Sequence, residues 1–112
     1  MAETFSNAKA RLTTASETDV LAAVPSGTTR IVLSVLACNI ITTTSAIDCT
    51  LKITNSSNVL SATLASTIPI PADSSLELIS SKLVLIAGDK LRGISNNGSG
   101  LIDFVVSYLD IT

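Results

Sequence analysis

The 112-residue sequence contains no histidine and no tryptophan, and aromatic residues make up only 3% of it. Without histidine, Ser-His-Asp and Cys-His catalysis and every imidazole-ligated metal site are excluded. Two phenylalanines and one tyrosine are too few to predict a platform on which sugars or bases stack. No nucleophile lies near a base in a catalytic pattern. We therefore expect a protein that is not an enzyme and that carries no cofactor and no metal.

Charge is equally scarce. The chain has 7 Lys and Arg against 9 Asp and Glu, a net charge of −2, and the basic residues are spread along the sequence. Since no basic patch is available to neutralise phosphates, we expect no nucleic-acid partner. No apolar run approaches the roughly 20 residues of a membrane helix, so no membrane partner is expected either. The first residues lack the pattern of a secretory signal, which predicts synthesis in the cytoplasm.

Apolar residues are abundant instead. They make up 46% of the chain, and its mean hydropathy is +0.56. Without a membrane segment, this apolar surface has to be buried in a core, in a subunit interface, or in both.

The apolar residues alternate with polar ones at the period of a β-strand. Residues 47–54 alternate most regularly, with Ile47, Cys49, Leu51 and Ile53 on one face. Clusters of Pro, Gly, Asn and Ser separate the apolar stretches. We read residues 96–100 as a hairpin loop and residues 68–71 as a crossover, because Pro lacks a ladder donor. The pattern predicts an all-β fold of about eight strands: an antiparallel two-sheet β-sandwich, jelly-roll-like or otherwise Greek key.

The chain divides into two parts by composition. Residues 1–16 are polar and form an N-terminal arm or edge segment, whereas residues 17–112 form the β-sandwich domain. We favour a flexible arm for residues 1–7, which have little to bury, and place the alternative edge strand at residues 8–14.

Two strands carry apolar residues on both faces. In residues 28–40, the set that includes Ile31 and Val35 occupies one face and the set that includes Val32 and Leu36 the other. Residues 101–111 are similar. A domain of this size cannot cover so much apolar surface alone, which predicts self-association. The candidate interface residues are Phe5, Leu12, Val32, Leu36, Leu101, Val105 and Leu109.

Few side chains suggest chemistry. A hairpin centred on residues 43 and 44 would place Cys38 opposite Cys49, either as a disulfide or as two reduced, buried thiols, and cytoplasmic synthesis favours the reduced pair. The spacing of the carboxylates matches no acid/base couple, so we interpret them as solvated surface groups. These are Glu77, Asp89, Asp103 and Asp110.

Three segments resemble small structural proteins of tailed bacteriophages, notably phages of marine bacteria and cyanobacteria. They are Val24-Pro25-Ser26-Gly27-Thr28-Thr29-Arg30-Ile31-Val32-Leu33-Ser34, Leu83-Val84-Leu85-Ile86-Ala87-Gly88-Asp89-Lys90-Leu91 and Val105-Val106-Ser107-Tyr108-Leu109. The resemblance spans roughly residues 20–112. It implies a virion structural protein with a β-sandwich fold, most simply a decoration (cement) protein on the surface of the phage head. Such a protein typically forms a homotrimer that contacts the major capsid protein or another virion protein.

Two alternatives remain open at this stage. One is a fibre-base, neck or tail accessory protein, which copy number in the particle would separate from a shell protein. The other is a host-surface or glycan-binding module, which the scarcity of aromatic residues disfavours.

Overall fold

The computed structural model describes residues 2–41, 45–79 and 81–112. Within these ranges the chain forms β-strands and no helix, and every strand pair is antiparallel. The predicted all-β antiparallel sandwich is confirmed, with one strand more than the eight expected. The strands are β1 (Glu3–Arg11), β2 (Thr18–Leu21), β3 (Thr29–Asn39), β4 (Ile47–Thr54), β5 (Leu60–Ile70), β6 (Ser75–Glu77), β7 (Leu83–Leu85), β8 (Lys90–Ser95) and β9 (Ile102–Ile111).

The strands form two sheets. The first sheet has the order β1-β9-β3-β6, and β7 pairs with β3 further along the same side as β6. The second sheet has the order β2-β8-β4-β5. Every connection except β4–β5 and β6–β7 therefore crosses from one sheet to the other. Neighbours in the sequence are consequently seldom neighbours in a sheet.

The core lies between the two sheets. On β4, Ile47, Cys49 and Leu51 are buried as the alternation predicted, whereas Ile53 is only half-buried and Thr54, on the polar face, is 1% exposed. On β9, Phe104 and Val106 point inward from the opposite sheet. A continuous apolar cluster of this size is the main source of stability in a small sandwich. The buried apolar residues are Leu12, Val20, Leu21, Val24, Val32, Val35, Ala37, Ile47, Cys49, Leu51, Ala65, Ile70, Leu85, Leu91, Ile102, Phe104 and Val106.

A β-bulge in β3 changes which residues face the core. Val32 lies opposite Tyr108 and Ser34 lies opposite Ser107, so Leu33 is an extra residue in the ladder. Val32 and Val35 both point inward as a result, and each is fully buried. The assignment of Val32 to the outer face was therefore wrong, because strict alternation does not survive an inserted residue.

The N-terminal segment is an edge strand. Residues 3–11 pair along their whole length with β9, from Glu3 opposite Ile111 to Arg11 opposite Asp103. The free arm favoured for residues 1–7 is thus replaced by a strand over residues 3–7. Leu12, proposed for the interface, is 1% exposed, because the chain turns inward after β1 and its amide donates to the Ile102 carbonyl at 2.9 Å.

Two predicted connections differ from the structure. Residues 68–70 continue β5, and Pro69 lies opposite Asp48; Pro is tolerated because β5 is an edge strand. The crossover to the first sheet begins only after Ile70. Residues 96–100 are not a hairpin loop, since they connect β8 in the second sheet with β9 in the first.

The cysteines are not cross-strand neighbours, because β3 and β4 belong to different sheets. Cys38 pairs with Asp103 and Cys49 with Ser95, and both thiols are free. Burial raises the pKa of the Cys49 thiol to about 12. The predicted hairpin centre lies outside the described residues. Cys49 thus has the character of a small buried hydrophobe.

Candidate interaction surfaces

An apolar row crosses the outer face of the first sheet. The register places Phe5 opposite Leu109, Leu109 opposite Ile31, and Ile31 opposite Val84. Directly opposed residues share a face, so these four side chains line up across β1, β9, β3 and β7. Phe5 is 74% and Val84 59% exposed, and the two central residues are half-buried. We call these four residues the outer apolar row.

A second row runs parallel to the first. Lys9 lies opposite Val105, Val105 opposite Leu36, and Leu36 opposite Glu77. Val105 and Leu36 are about two-fifths exposed, at 40% and 38%. Between the two rows lies a short polar strip in which Asn7, Ser107 and Ser34 are opposed. The outer face of the first sheet is therefore apolar over much of its area and carries charge only towards its borders.

The charged groups of this face are held in place. Arg11 Nε and Nη2 donate to the two carboxylate oxygens of Asp103 at 2.7 and 2.8 Å, and this pair holds the pKa of Asp103 below its usual value. The Glu77 carboxylate accepts a hydrogen bond from the Val35 amide at 2.8 Å. Glu77 thereby ties β6 to β3 just beyond the bulge.

The outer face of the second sheet has the opposite character. Lys52, Arg92 and Asp19 are opposed across β4, β8 and β2. Lys52 Nζ lies 2.8 Å from Glu17 Oε1, and Arg92 Nη1 lies 2.9 Å from Asp19 Oδ1. Lys90 Nζ adds a contact to Asp19 Oδ1 at 3.0 Å. The three cations and two anions form one ion-paired network, so this part of the face is charged but its groups are mostly held by one another.

A further ion pair lies inside the sandwich. Arg30 is 6% exposed; its Nε and Nη2 donate to Asp110 at 2.7 and 3.0 Å, and its guanidinium lies 4.3 Å from the centre of the Tyr108 ring. Its Nη1 also donates to the Ala22 carbonyl at 3.2 Å. Because the groups satisfy one another, we interpret this cluster as structural.

The four carboxylates singled out in the sequence are not brought together. Asp103 and Asp110 are ion-paired with different arginines, Glu77 accepts from Val35, and Asp89 accepts from the Ile86 amide at 3.0 Å. Their interpretation as free solvated groups was therefore incomplete, since each stabilises a strand or turn. Among the described residues, no group of three or more His, Cys, Asp or Glu side chains is close enough to hold a metal ion.

The predicted interface residues divide into three groups. Phe5, Leu36, Val105 and Leu109 lie on the outer face of the first sheet, whereas Leu101 is half-buried at the end of the sheet and packs against the core. Leu12 and Val32 belong to the core and cannot reach a partner. Contact of the surface residues with a partner stays a prediction.

Three exposed or half-buried apolar residues near this surface were not among the predicted interface residues. Ile31 and Val84 complete the outer apolar row, and Ile86, two residues after Val84, is 64% exposed. The run at residues 83–86 is apolar throughout and gives no sign of which residues face outward. Only the register of β7 against β3 places Val84 beside Ile31.

No helix among residues 2–41, 45–79 and 81–112 has the length and apolar character needed to span a bilayer.

Comparisons with known proteins are limited to the fold. No protein-family profile and no curated protein matches the sequence. A chain of the T13 IBDV viral particle superposes with a TM-score of 0.54 at 10% identity, covering 96% of this chain and 30% of its own length. This chain thus spans less than a third of that protein, and at this identity the similarity shows a shared fold.

Two further solved structures superpose with TM-scores below 0.5. The Drosophila NLP-core, described for pentamer formation and histone binding, has a TM-score of 0.48 at 12% identity over 95% of both chains. A pentameric capsid protein from metagenomic phage sequences has a TM-score of 0.44 at 17% identity, over 93% of this chain and 60% of its own. This chain therefore shares its β-sandwich fold with a chain of the T13 IBDV viral particle.

Proposed function

We propose that the protein is a virion structural protein and, more specifically, a decoration protein on the outside of a tailed-phage head. The observation that carries the proposal is the outer apolar row on the first sheet, opposite a second sheet whose outer face carries a network of ion pairs. The sequence resemblance to phage structural proteins and the fold shared with a protein of a viral particle support it.

The strand order adds support. If β6 and β7 are counted as one interrupted strand, the two sheets contain four strands each, and nearly every connection crosses between them. We infer that this arrangement is a jelly roll, an architecture common among viral capsid domains. The sandwich presents two broad outer faces, one on each sheet, which suits a protein that attaches by surface contact.

The proposed mechanism is non-enzymatic. The apolar face of the first sheet packs against a shell protein, and the charged face of the second sheet stays in water. A protein that binds only the assembled shell stabilises it by mass action. Because the same contact recurs across a lattice, individually modest contacts add up to substantial reinforcement of the head.

A particle reconstruction tests the location. We expect density for the sandwich on the outer surface of the head, with the first sheet towards the shell, and a copy number in the hundreds per particle. A copy number of a dozen or fewer would instead support the fibre-base, neck or tail accessory. Absence of the chain from purified particles would overturn the virion role.

A rebinding experiment tests the face. Val84 on the outer apolar row and Val59 beside the β4–β5 turn are matched in exposure, at 59% and 60%. Particles prepared without the protein are incubated with the wild type, V84D or V59D. We expect the wild type and V59D to rebind and V84D to bind at least about tenfold more weakly, since a buried unpaired carboxylate is costly. Equal binding of both variants would contradict the assignment of the face.

The glycan-binding alternative receives no support from the structure. Phe104 is buried in the core and Tyr108 is half-buried above Arg30, so Phe5 is the one aromatic side chain on the outer face of the first sheet. Sugar rings are usually recognised by several exposed aromatic faces.

A further inference from the structure

The free edge of β1 carries a row of unpaired backbone groups. The amide of Ala2 donates to the Thr112 carbonyl at 3.2 Å and the amide of Thr112 donates back at 2.9 Å; the Leu12 amide donates to Ile102 at 2.9 Å. Alternate residues of an antiparallel strand point their backbone groups in opposite directions. The even-numbered residues of β1 therefore bond to β9. The backbone groups of the odd-numbered residues point away from the sheet: Glu3, Phe5, Asn7, Lys9 and Arg11.

This edge is nine residues long, and β1 pairs only with β9 among the described strands. Long free edges are templates for pairing with another strand. The opposite border of the first sheet is different, because it is formed by two separate three-residue strands. The β1 border of this sheet thus offers a continuous row of backbone donors and acceptors, and the β6–β7 border does not.

The sequence of β1 is complementary to itself when reversed. In an antiparallel pairing centred on Asn7, residue i lies opposite residue 14 − i of the second copy. Glu3 then faces Arg11, Phe5 faces Lys9, and Asn7 faces Asn7. The first pair has opposite charges, the second places the lysine stem on the aromatic ring, and the third joins two amides. No like charges are opposed.

The hydrogen-bonding pattern selects the same register. The odd-numbered residues, whose backbone groups are free, are the ones brought into directly bonded pairs. A shift by one pair in either direction shortens the ladder and leaves Arg11 or Glu3 without an opposed residue. Arg11 can also pair with Glu3 of the second copy, because only its Nε and Nη2 donate to Asp103 and the Arg11 side chain is 64% exposed.

We propose that two copies of this chain pair through β1, antiparallel and centred on Asn7, to form one continuous sheet that is eight strands wide when β6 and β7 are counted as one interrupted strand. The two-fold axis is perpendicular to the sheet, so the outer faces of both copies lie on the same side. Phe5 ends the outer apolar row of its own copy and meets Lys9 of the second, which joins the row to Val105 and Leu36 beyond it. The two apolar faces become a single surface.

The pairing does not depend on which virion protein the outer face contacts. It makes a dimer the unit of assembly, in place of the homotrimer that the sequence resemblance implies. Its tests use the purified protein alone, so their failure is distinguishable from failure of the particle experiments.

Cysteine cross-linking tests the register. In a Cys38→Ser background, Asn7→Cys places two thiols across the axis with Cα atoms about 5.5 Å apart, within the range that a disulfide spans. The matched control is Ser107→Cys, which neighbours Asn7 on β9 but lies roughly 15 Å from its copy, too far to bridge. We expect mild oxidation to give covalent dimers of N7C and none of S107C. A mixture of F5C and K9C should cross-link, whereas F5C alone should not.

Asn7→Pro tests the role of the free backbone groups. The Asn7 amide points away from β9, so proline there removes a bond to the second copy and none within the fold. We expect light scattering to give the wild type twice the chain mass of 11.5 kDa. The N7P dimer should dissociate at protein concentrations at least about tenfold higher than those at which the wild-type dimer dissociates. N7P should nevertheless unfold as cooperatively as the wild type. A monomeric or trimeric wild type would overturn the proposal, as would S107C cross-linking as readily as N7C.

Discussion

Gly93 on β8 lies directly against the ring of Phe104 on β9. A Cβ atom at residue 93 would come within 2.8 Å of Cε2 and Cζ of that ring and 3.0 Å from Cγ2 of Val20. The largest buried side chain of the first sheet therefore packs onto bare backbone of the second. This contact sets how closely the two sheets approach each other at the centre of the sandwich.

Gly93→Ala should destabilise the fold. The ring of Phe104 is 1% exposed and packs within the core, so overpacking should cost about 1–3 kcal/mol. The measurement is the free energy of unfolding from urea titration. Gly98→Ala is the control, because nothing lies within 4 Å of a Cβ there and the change should stay within about 0.5 kcal/mol. Equal effects of the two substitutions would contradict the packing described.

Gly100→Ala should be more damaging than Gly88→Ala. Both glycines have positive φ, at +72° and +92°, so both substitutions add backbone strain of about 1 kcal/mol. Only at Gly100 would a Cβ also clash with backbone, namely the Leu12 carbonyl group. We expect G88A to fold with a modest loss of stability and G100A to lose at least about 2 kcal/mol more, or to be recovered only in insoluble form. Thermal unfolding of both variants tests the difference.

The two arginine–aspartate pairs should contribute unequally. Asp110→Asn leaves Arg30, whose side chain is 8% exposed, without its counter-charge, and should cost about 1–3 kcal/mol. Asp103→Asn removes the partner of Arg11, which is 64% exposed, and should change stability far less. Urea titrations at low and high salt check this ranking, since only the exposed pair should weaken with salt. A larger effect of D103N would refute it.

Cys49 should make the protein sensitive to alkali. Its pKa is raised to about 12 in the folded chain from an ordinary value of 9.0, so the unfolded state ionises first. The neutral thiol contributes stability that is complete below about pH 9 and is lost as the pH rises towards 12. We expect Cys49→Ala to have a shallower loss of stability between pH 8 and pH 10.5 than the wild type.

A thiol reagent should label Cys38 in the folded protein and Cys49 only on unfolding.

The fold class could be predicted because its causes are local. In residues 47–51 the alternation of apolar and polar residues corresponds to the burial seen on β4, and it fails only at the end of the strand, where Ile53 is half-buried and Thr54 is buried. Pairing partners could not be predicted, because nearly every connection crosses between the sheets, and a cross-sheet loop such as residues 96–100 has the same turn residues as a hairpin. The prediction that Cys38 lies opposite Cys49 was wrong for this reason.

The candidate surface was predicted only in part. Leu36, Val105 and Leu109 could be placed on an outer face because they alternate with core residues. Val32 could not, because the bulge at Leu33 depends on contacts distant in sequence, among them the Glu77 carboxylate on the Val35 amide. Leu12 was misplaced because an isolated leucine in a polar segment gives no periodicity from which burial could be deduced.

The ion pairing of Glu17, Asp19, Lys52, Lys90 and Arg92 has a consequence for the decorated particle that we propose. In the proposed arrangement the apolar face of each molecule is covered by the shell, and the ion-paired face is what the surrounding medium meets. Heads coated in this way would present charges that are mostly paired with one another, which should limit their adhesion to each other. In the proposed role the protein would therefore help to keep the particles dispersed as well as reinforce the head.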